Sequence, residues 1–353
     1  MKSIKQWLAQ GTAVAVVAGL AGIAMPAQPA QAAKVEGPKV EWNFSAWGKP
    51  RGASKNFEQL AALVSEATDG NFTIKIHWGA TLAPPKENID GIKIGAFEMA
   101  MHAVAFRPGT MPTLEVVGLP FMPLGSLENQ ARVSLEVFEL PTAKKDLERW
   151  NMVAISSLLL PPYQLMGKGD APTTIAGLQN MRVRAPGGIG SALRKVGAVP
   201  TSVASPEIYN ALERGLLDAV SMAHYGLHSY RTYELSDWYT TNIDFGILST
   251  LVPANKDAFN ALPAQYQKLL RDSVWPALDY QIKEYDKAQS AAINAFNGKG
   301  LKAITYSDKE LAEFRRVAGE PVWKEWVAAM NEKGYPGQEI LDTILASAKK
   351  GSM

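Results

Sequence analysis

Two arginines stand two residues apart in "MRVRAPGGIGSALRKVG", where Arg182 and Arg184 precede a glycine-opened helical stretch. Period-2 alternation sets Met181 and Val183 on one strand face and both arginines on the other. A strand-to-helix turn presents free N–H groups and the positive end of a helix dipole, so the pattern suits an anion. Position separates the two arginines. Ligands of α/β sheets bind beyond the carboxyl ends of strands, which favours Arg184 and leaves Arg182 one pleat back, to meet solvent or a surface acid.

Other chemistries fit less well. Gly188 and Gly190 supply G-x-G, but Leu193 takes the third glycine position of a dinucleotide fingerprint, and Glu207 opens a helix instead of closing a second strand. His224 and His228 have the i, i+4 spacing of a zinc pair, yet no catalytic Glu or further ligand lies near them in sequence. The chain has no cysteine, which excludes thiol catalysis and disulfides. It also has no G-x-S-x-G elbow and no P-loop. No cofactor, no metal and no enzymatic activity are expected.

The elements that must position the arginines alternate along the chain. "NFEQLAALVSEATDG" reads as an amphipathic helix and "NFTIKIHWG" as an alternating strand. A helix within Lys86–Gly95 leads to a strand in "FEMAMHA", a helix capped by Ser126 follows, and "NMVAISSLLL" reads as a buried strand. "ASPEIYNALERG" reads as a helix with Ser205 as N-cap and Pro206 at its first position. A helical pattern runs from Pro263 to about Asn297, with Pro276 placed to kink it. This rhythm predicts an α/β protein of two lobes, and a helix of that length would brace both.

The amino terminus sets the compartment. Lys2 and Lys5, the apolar run Gly11–Met25 and Ala30-Gln31-Ala32 form a secretory signal peptide over residues 1–32, too short in its apolar core to span a bilayer. The formal net charge of +2 is carried by those two lysines, so the mature chain is neutral and a poor nucleic-acid binder.

"LQNMRVRAPGG" followed by "GAVPTSVASPEIYNALERGLLDAVSM" resembles the signature half of the solute-binding proteins of tripartite ATP-independent periplasmic (TRAP) transporters. "IDGIKIGAFEMAM", "LPFMP", "LVPANKDAFNALP" and "GKGLKAITYSDKELAEFRR" extend the likeness, in order, over nearly the whole mature chain. The resemblance implies a two-lobed periplasmic binding protein fold with a long helix bridging both lobes. One lobe would comprise 33–160 plus about 245–280, the other 161–244 plus about 281–353. It implies a periplasmic receptor that pairs Arg184 with a ligand carboxylate and delivers the solute, as monomer or dimer, to a small and a large membrane subunit. By position it would place Trp47, His102, Phe121, Tyr163, Gln164, His224 and Tyr225 around the ligand.

The chain also departs from that family. Only Lys168 lies near the place of a second arginine common in relatives, Ala219 ends the "Leu-Asp-Ala" that is usually "vDg", and "SMAHYGLHSY" replaces a Trp-containing acidic stretch. Aromatic residues crowd the candidate segments, so a single carboxylate on a ring or other bulky apolar body is the expected ligand. The alternatives are an ABC-type solute-binding protein and a secreted hydrolase.

Overall fold

The computed structural model describes residues 34–351, so the expected signal peptide lies outside the described residues. Twelve strands make two sheets of six. The first contains β1 (Val40–Ser45), β2 (Phe72–His77), β3 (Met99–Ala100), β4 (His102–Ala103), β5 (Met152–Ser156) and β11 (Thr250–Asn255). The second contains β6 (Gln164–Gly167), β7 (Arg182–Arg184), β8 (Val199–Thr201), β9 (Ala219–Met222), β10 (Trp238–Thr240) and β12 (Lys302–Ile304).

In the first sheet the order is β2-β1-β3-β11-β4, with β5 also paired to β11. β1 runs parallel to β2 and β3, whereas β11 is antiparallel to its neighbours. The second sheet runs β12-β10-β6-β9-β7-β8, with β7 parallel to both β8 and β9. Helices cover the sheets because each carries one apolar stripe. In Lys55–Ala67 the stripe is Phe57, Leu60 and Val64.

Two chain segments cross between the sheets side by side. Tyr163 N–H donates to Gly246 O at 2.8 Å and Phe245 N–H to Tyr163 O at 3.1 Å. Thr250 Oγ1 donates to Leu158 O at 2.6 Å. "NMVAISSLLL" is therefore a strand only to Ser156. Beyond it the chain is part of this crossing pair.

The long helical pattern is two helices, Ala264–Asp272 and Val274–Lys299, separated at Ser273. Pro276 accounts for the break. It cannot donate to Asp272 O, and its ring crowds that carbonyl one turn upstream. The second helix, of 26 residues, is about 39 Å long.

That helix reaches both lobes. Gln281 Nε2 donates to Gly52 O and Ala53 O at 3.2 and 3.1 Å, and its Oε1 accepts from Leu159 N–H at 3.2 Å. Tyr285 OH donates to Leu159 O. Two turns further on, Gln289 Nε2 meets His224 Nδ1 at 3.0 Å, and Tyr239 OH donates to Asn297 Oδ1 at 3.3 Å.

Gln281 is wholly buried, so Gln281→Leu should strand the Leu159 N–H and remove a donor from Ala53 O and from Gly52 O, the last of which keeps the Lys55 N–H. A loss of about 2–4 kcal/mol is expected from unmet buried groups. Chemical denaturation should show a clearly lower midpoint; an unchanged midpoint would mean that these bonds contribute nothing to holding the helix in place.

Candidate functional site

β7 is three residues long, and its two arginines have opposite surroundings. Arg182 is exposed and pairs with Asp218. Its Nε donates to Asp218 Oδ2 at 3.0 Å, and its backbone N–H donates to the same oxygen at 2.8 Å. The Arg182 hydrogen bonds hold the Asp218 carboxyl below its usual range. Arg184, at the carboxyl end of the strand, is 0% exposed.

Every partner of Arg184 is neutral. Nε donates to Val203 O at 2.9 Å, Nη1 to Ser221 O at 3.1 Å and Nη2 to Ser205 Oγ at 3.3 Å, with the Tyr163 hydroxyl beside it. No carboxylate among the described residues forms an ion pair with it. Burial pulls its pKa down, but a guanidinium stays protonated in proteins. Its hydrogen bonds are largely satisfied while its charge is not, and a buried charge without a counter-ion costs several kcal/mol.

Ser205 is not the N-cap that its sequence context predicts. It is the first residue of a 3-10 turn, Ser205–Glu207, whose cap is Ala204, and its hydroxyl serves Arg184.

The expected helix-terminus contribution is also corrected. The first residues of the helix Gly187–Lys195 line a gap against the other lobe, and none of the helix lines the cavity beside Ser205 and Tyr163. A Cβ on Gly188 would lie 2.5 Å from Gly118 O and 2.9 Å from Pro120 Cδ, and one on Gly187 would lie 2.9 Å from Ala105 Cβ. Those glycines permit close approach of the lobes; they do not cradle an anion. The gap beside them, of about 380 Å³, is lined by Glu115 and Glu325 and by no Lys or Arg. Glu325 there is ion-paired with Lys195, and burial raises the Glu115 carboxyl.

The cavity beside Ser205 and Tyr163 is smaller, about 40 Å³, with room for roughly three waters. A larger solute enters it only as the lobes part. Trp47, Tyr163 and Tyr225 line it as expected, and Arg51, Phe106 and Tyr230 join them. Trp47 and Arg51 follow β1, Arg184 ends β7, and Tyr225 follows β9, so the site lies beyond the carboxyl ends of strands. Trp47 packs on Phe106 at 5.6 Å, and Tyr225 meets Tyr285 edge-on at 4.8 Å. Burial raises the Tyr163 hydroxyl to about 12 and the Tyr225 hydroxyl further, so both stay protonated donors.

Four other expected residues lie elsewhere. Met101 and Ala103 face the cavity, so alternation turns His102 away; it is wholly buried with both ring nitrogens unpartnered. Gln164, next to Tyr163, accepts from Thr240 Oγ1 and Ile243 N–H, both at 3.1 Å, and donates to Asp244. His224 is held at 2.8 Å from Thr240 O and packs edge-on to Tyr239 and Phe296. Phe121, at φ 59°, packs on Phe245 and Phe314. Arg51 gave no signal in the sequence, because a loop arginine after a first strand is unremarkable until the fold brings Tyr230 to it.

Residues 47–329 match the family described as bacterial extracellular solute-binding protein, family 7. The C4-dicarboxylate-binding periplasmic protein DctP of Rhodobacter capsulatus is 25% identical over 308 residues, covering 81% of this chain and 82% of its own. A marine metagenome TRAP solute-binding protein specific for aromatic acid ligands, solved with 3-hydroxybenzoate, superposes with a TM-score of 0.81 at 22% identity, covering 89% of this chain and 99% of its own. A TRAP solute-binding protein from Rhodoferax ferrireducens, solved with copurified benzoate, superposes at 0.78 with 22% identity and the same coverage.

Arg184→Gln should weaken capture of a carboxylate by about 2–5 kcal/mol, roughly 30-fold or more. Arg184→Lys should restore part of it, because an ammonium lacks the planar fork. Arg182→Ala should stay within about a few-fold, as its exposed pair with Asp218 contributes little. Calorimetry decides, and loss of binding in Arg182→Ala with retention in Arg184→Gln would refute the assignment.

His102 generates a separate expectation. Burial lowers its pKa from 6.5 to about 3, so below pH 6.5 the unfolded chain takes up a proton that the folded one refuses. The native state should therefore lose stability as pH falls from 6.5 toward 3, by up to about 1.4 kcal/mol per pH unit from this residue. Denaturant titrations of His102→Gln should show a shallower acid limb than wild type; an identical limb would mean that His102 titrates normally.

Proposed function

The chain belongs to family 7 of the bacterial extracellular solute-binding proteins, the periplasmic receptors of TRAP transporters, and from that premise we propose how its site selects a solute. Membership identifies a receptor for small organic acids that works with membrane subunits, which sets aside the hydrolase and ABC-type alternatives. Arg184 binds the carboxylate through two parallel N–H···O bonds, and the aromatic walls take the body of an aromatic or otherwise bulky monocarboxylate.

One observation carries this reading: Arg184 is fully buried, beside the cavity, with neutral partners only. A bound carboxylate supplies the missing counter-charge. Trp47, Phe106 and Tyr225 offer ring faces and edges that match a ring better than a second charge. The aromatic acids bound by the two solved relatives support the same class. The dicarboxylate relative is the reason to test its rival.

Benzoate, phenylacetate and mandelate should raise the melting temperature and bind more tightly than succinate or fumarate in calorimetry. Small-angle scattering should show a smaller radius of gyration with the tightest of them, since a solute that contacts both lobes favours closure. Tight binding of succinate with no binding of the aromatic acids would overturn the proposed class.

A further inference from the structure

Arg51 lines the cavity from the lobe opposite Arg184, which sits behind Ser205 and Tyr163. Arg51 leaves β1 just before the 3-10 turn Gly52–Ser54, and that turn fixes its backbone, with Arg51 N–H donating to Ser54 Oγ at 2.8 Å. Its Nη1 is occupied, donating to Trp47 O and Lys49 O at 2.9 Å each. Among the described residues its Nε and Nη2 have no acceptor, and no carboxylate pairs with it. The idle edge is the one that grips a carboxylate side-on.

The other lobe is close at this point. The Arg51 guanidinium carbon lies 5.4 Å from the centroid of the Tyr230 ring. The Tyr230 hydroxyl is buried without a partner, and a Cβ on Gly48 would come within 3.3 Å of it. The Tyr163 hydroxyl, already beside Arg184, is also within the field of Arg51. Two cations without a carboxylate partner, the buried Arg184 and the partly exposed Arg51, thus act on one hydroxyl at the wall of one cavity. Like charges so placed repel unless an anion separates them.

Resting on the reading of Arg184 given above, we infer that Arg51 is the second cationic contact to the same carboxylate, so that the anion joins the two lobes. With both cations used on one carboxylate, the rest of the solute faces Trp47, Phe106 and Tyr225. A second carboxylate there would be desolvated against rings with no cation left to meet it. The clamp selects monocarboxylates, and it favours closure because only the closed form brings both arginines to the anion.

Calorimetry with benzoate, phenylacetate and succinate on wild type, Arg51→Gln, Arg51→Lys and Arg184→Gln tests this. Arg51→Gln should weaken benzoate and phenylacetate by about tenfold or more and by the same factor, because the shared carboxylate is what it loses. Arg51→Lys should fall between, and the melting temperatures without solute should match wild type. At saturating benzoate, scattering should show Arg51→Gln less closed than wild type. Binding by Arg51→Gln within about threefold of wild type, while Arg184→Gln loses it, would overturn the clamp and leave Arg184 as the carboxylate site. Unequal factors for the two aromatic acids would also overturn it, by showing that Arg51 reads the body of the solute. Wild-type binding in Arg184→Gln, or binding of succinate alone, would refute the underlying reading and the clamp with it.

Discussion

A positive charge held out of water without a counter-ion is the constraint around which this molecule is arranged. Arg184 is wholly buried, and the neutral atoms of Val203, Ser205 and Ser221 satisfy its N–H groups while leaving its charge unmatched. Such a group costs the folded protein stability unless something repays it. The carbonyls fix the guanidinium in one orientation, so under the reading proposed above an arriving carboxylate would find a donor that has already lost its water and its freedom. Preorganisation of this kind moves the cost from the binding event to the fold.

The fold must meet that cost and still let a solute in. The paired crossing segments at Tyr163 and Phe245 are mutually hydrogen-bonded, which keeps the two crossings in register with one another. The helix Val274–Lys299 adds a longer tie, bonded near its start to Gly52 and Ala53 and further along to His224 and Tyr239. Across the other side of the interface Gly187 and Gly188 meet Ala105, Gly118 and Pro120 at distances no side chain would allow.

The alternating helices and strands were legible in the sequence because they depend on local periodicity, and the meeting of Arg182 with a surface acid followed from its place one pleat back from the strand end. The misplacements share a cause. His102 follows Met101 and precedes Ala103, Gln164 follows Tyr163, and His224 precedes Tyr225. In each case one neighbour lines the cavity and the other faces away. In β4 and at the start of β6 alternation demands such a split, and only the register says which neighbour wins; His224 and Tyr225 open a helix, where successive side chains point in different directions around the axis. Phe121 was invisible for a different reason: its positive φ redirects its ring into a cluster formed with Phe245 and Phe314, more than a hundred residues away. Ser-Pro-Glu is a cap pattern, and only the neighbouring sheet reveals that the Ser205 hydroxyl faces Arg184. Arg51 depends on a contact with Tyr230, 179 positions later, which no local pattern encodes.

The same geometry explains why this site binds without transforming what it binds. Proton transfer needs a group that changes state near the working pH. The cavity wall offers Tyr163 and Tyr225, whose hydroxyls burial holds protonated well above neutrality, together with the guanidinium of Arg51. His102 and His224, the residues that could have served as bases, point into the protein, and burial lowers the pKa of both. No carboxylate lines the wall. What lines the cavity is a set of hydrogen-bond donors and ring surfaces. Such a set can recognise an anion by charge and shape.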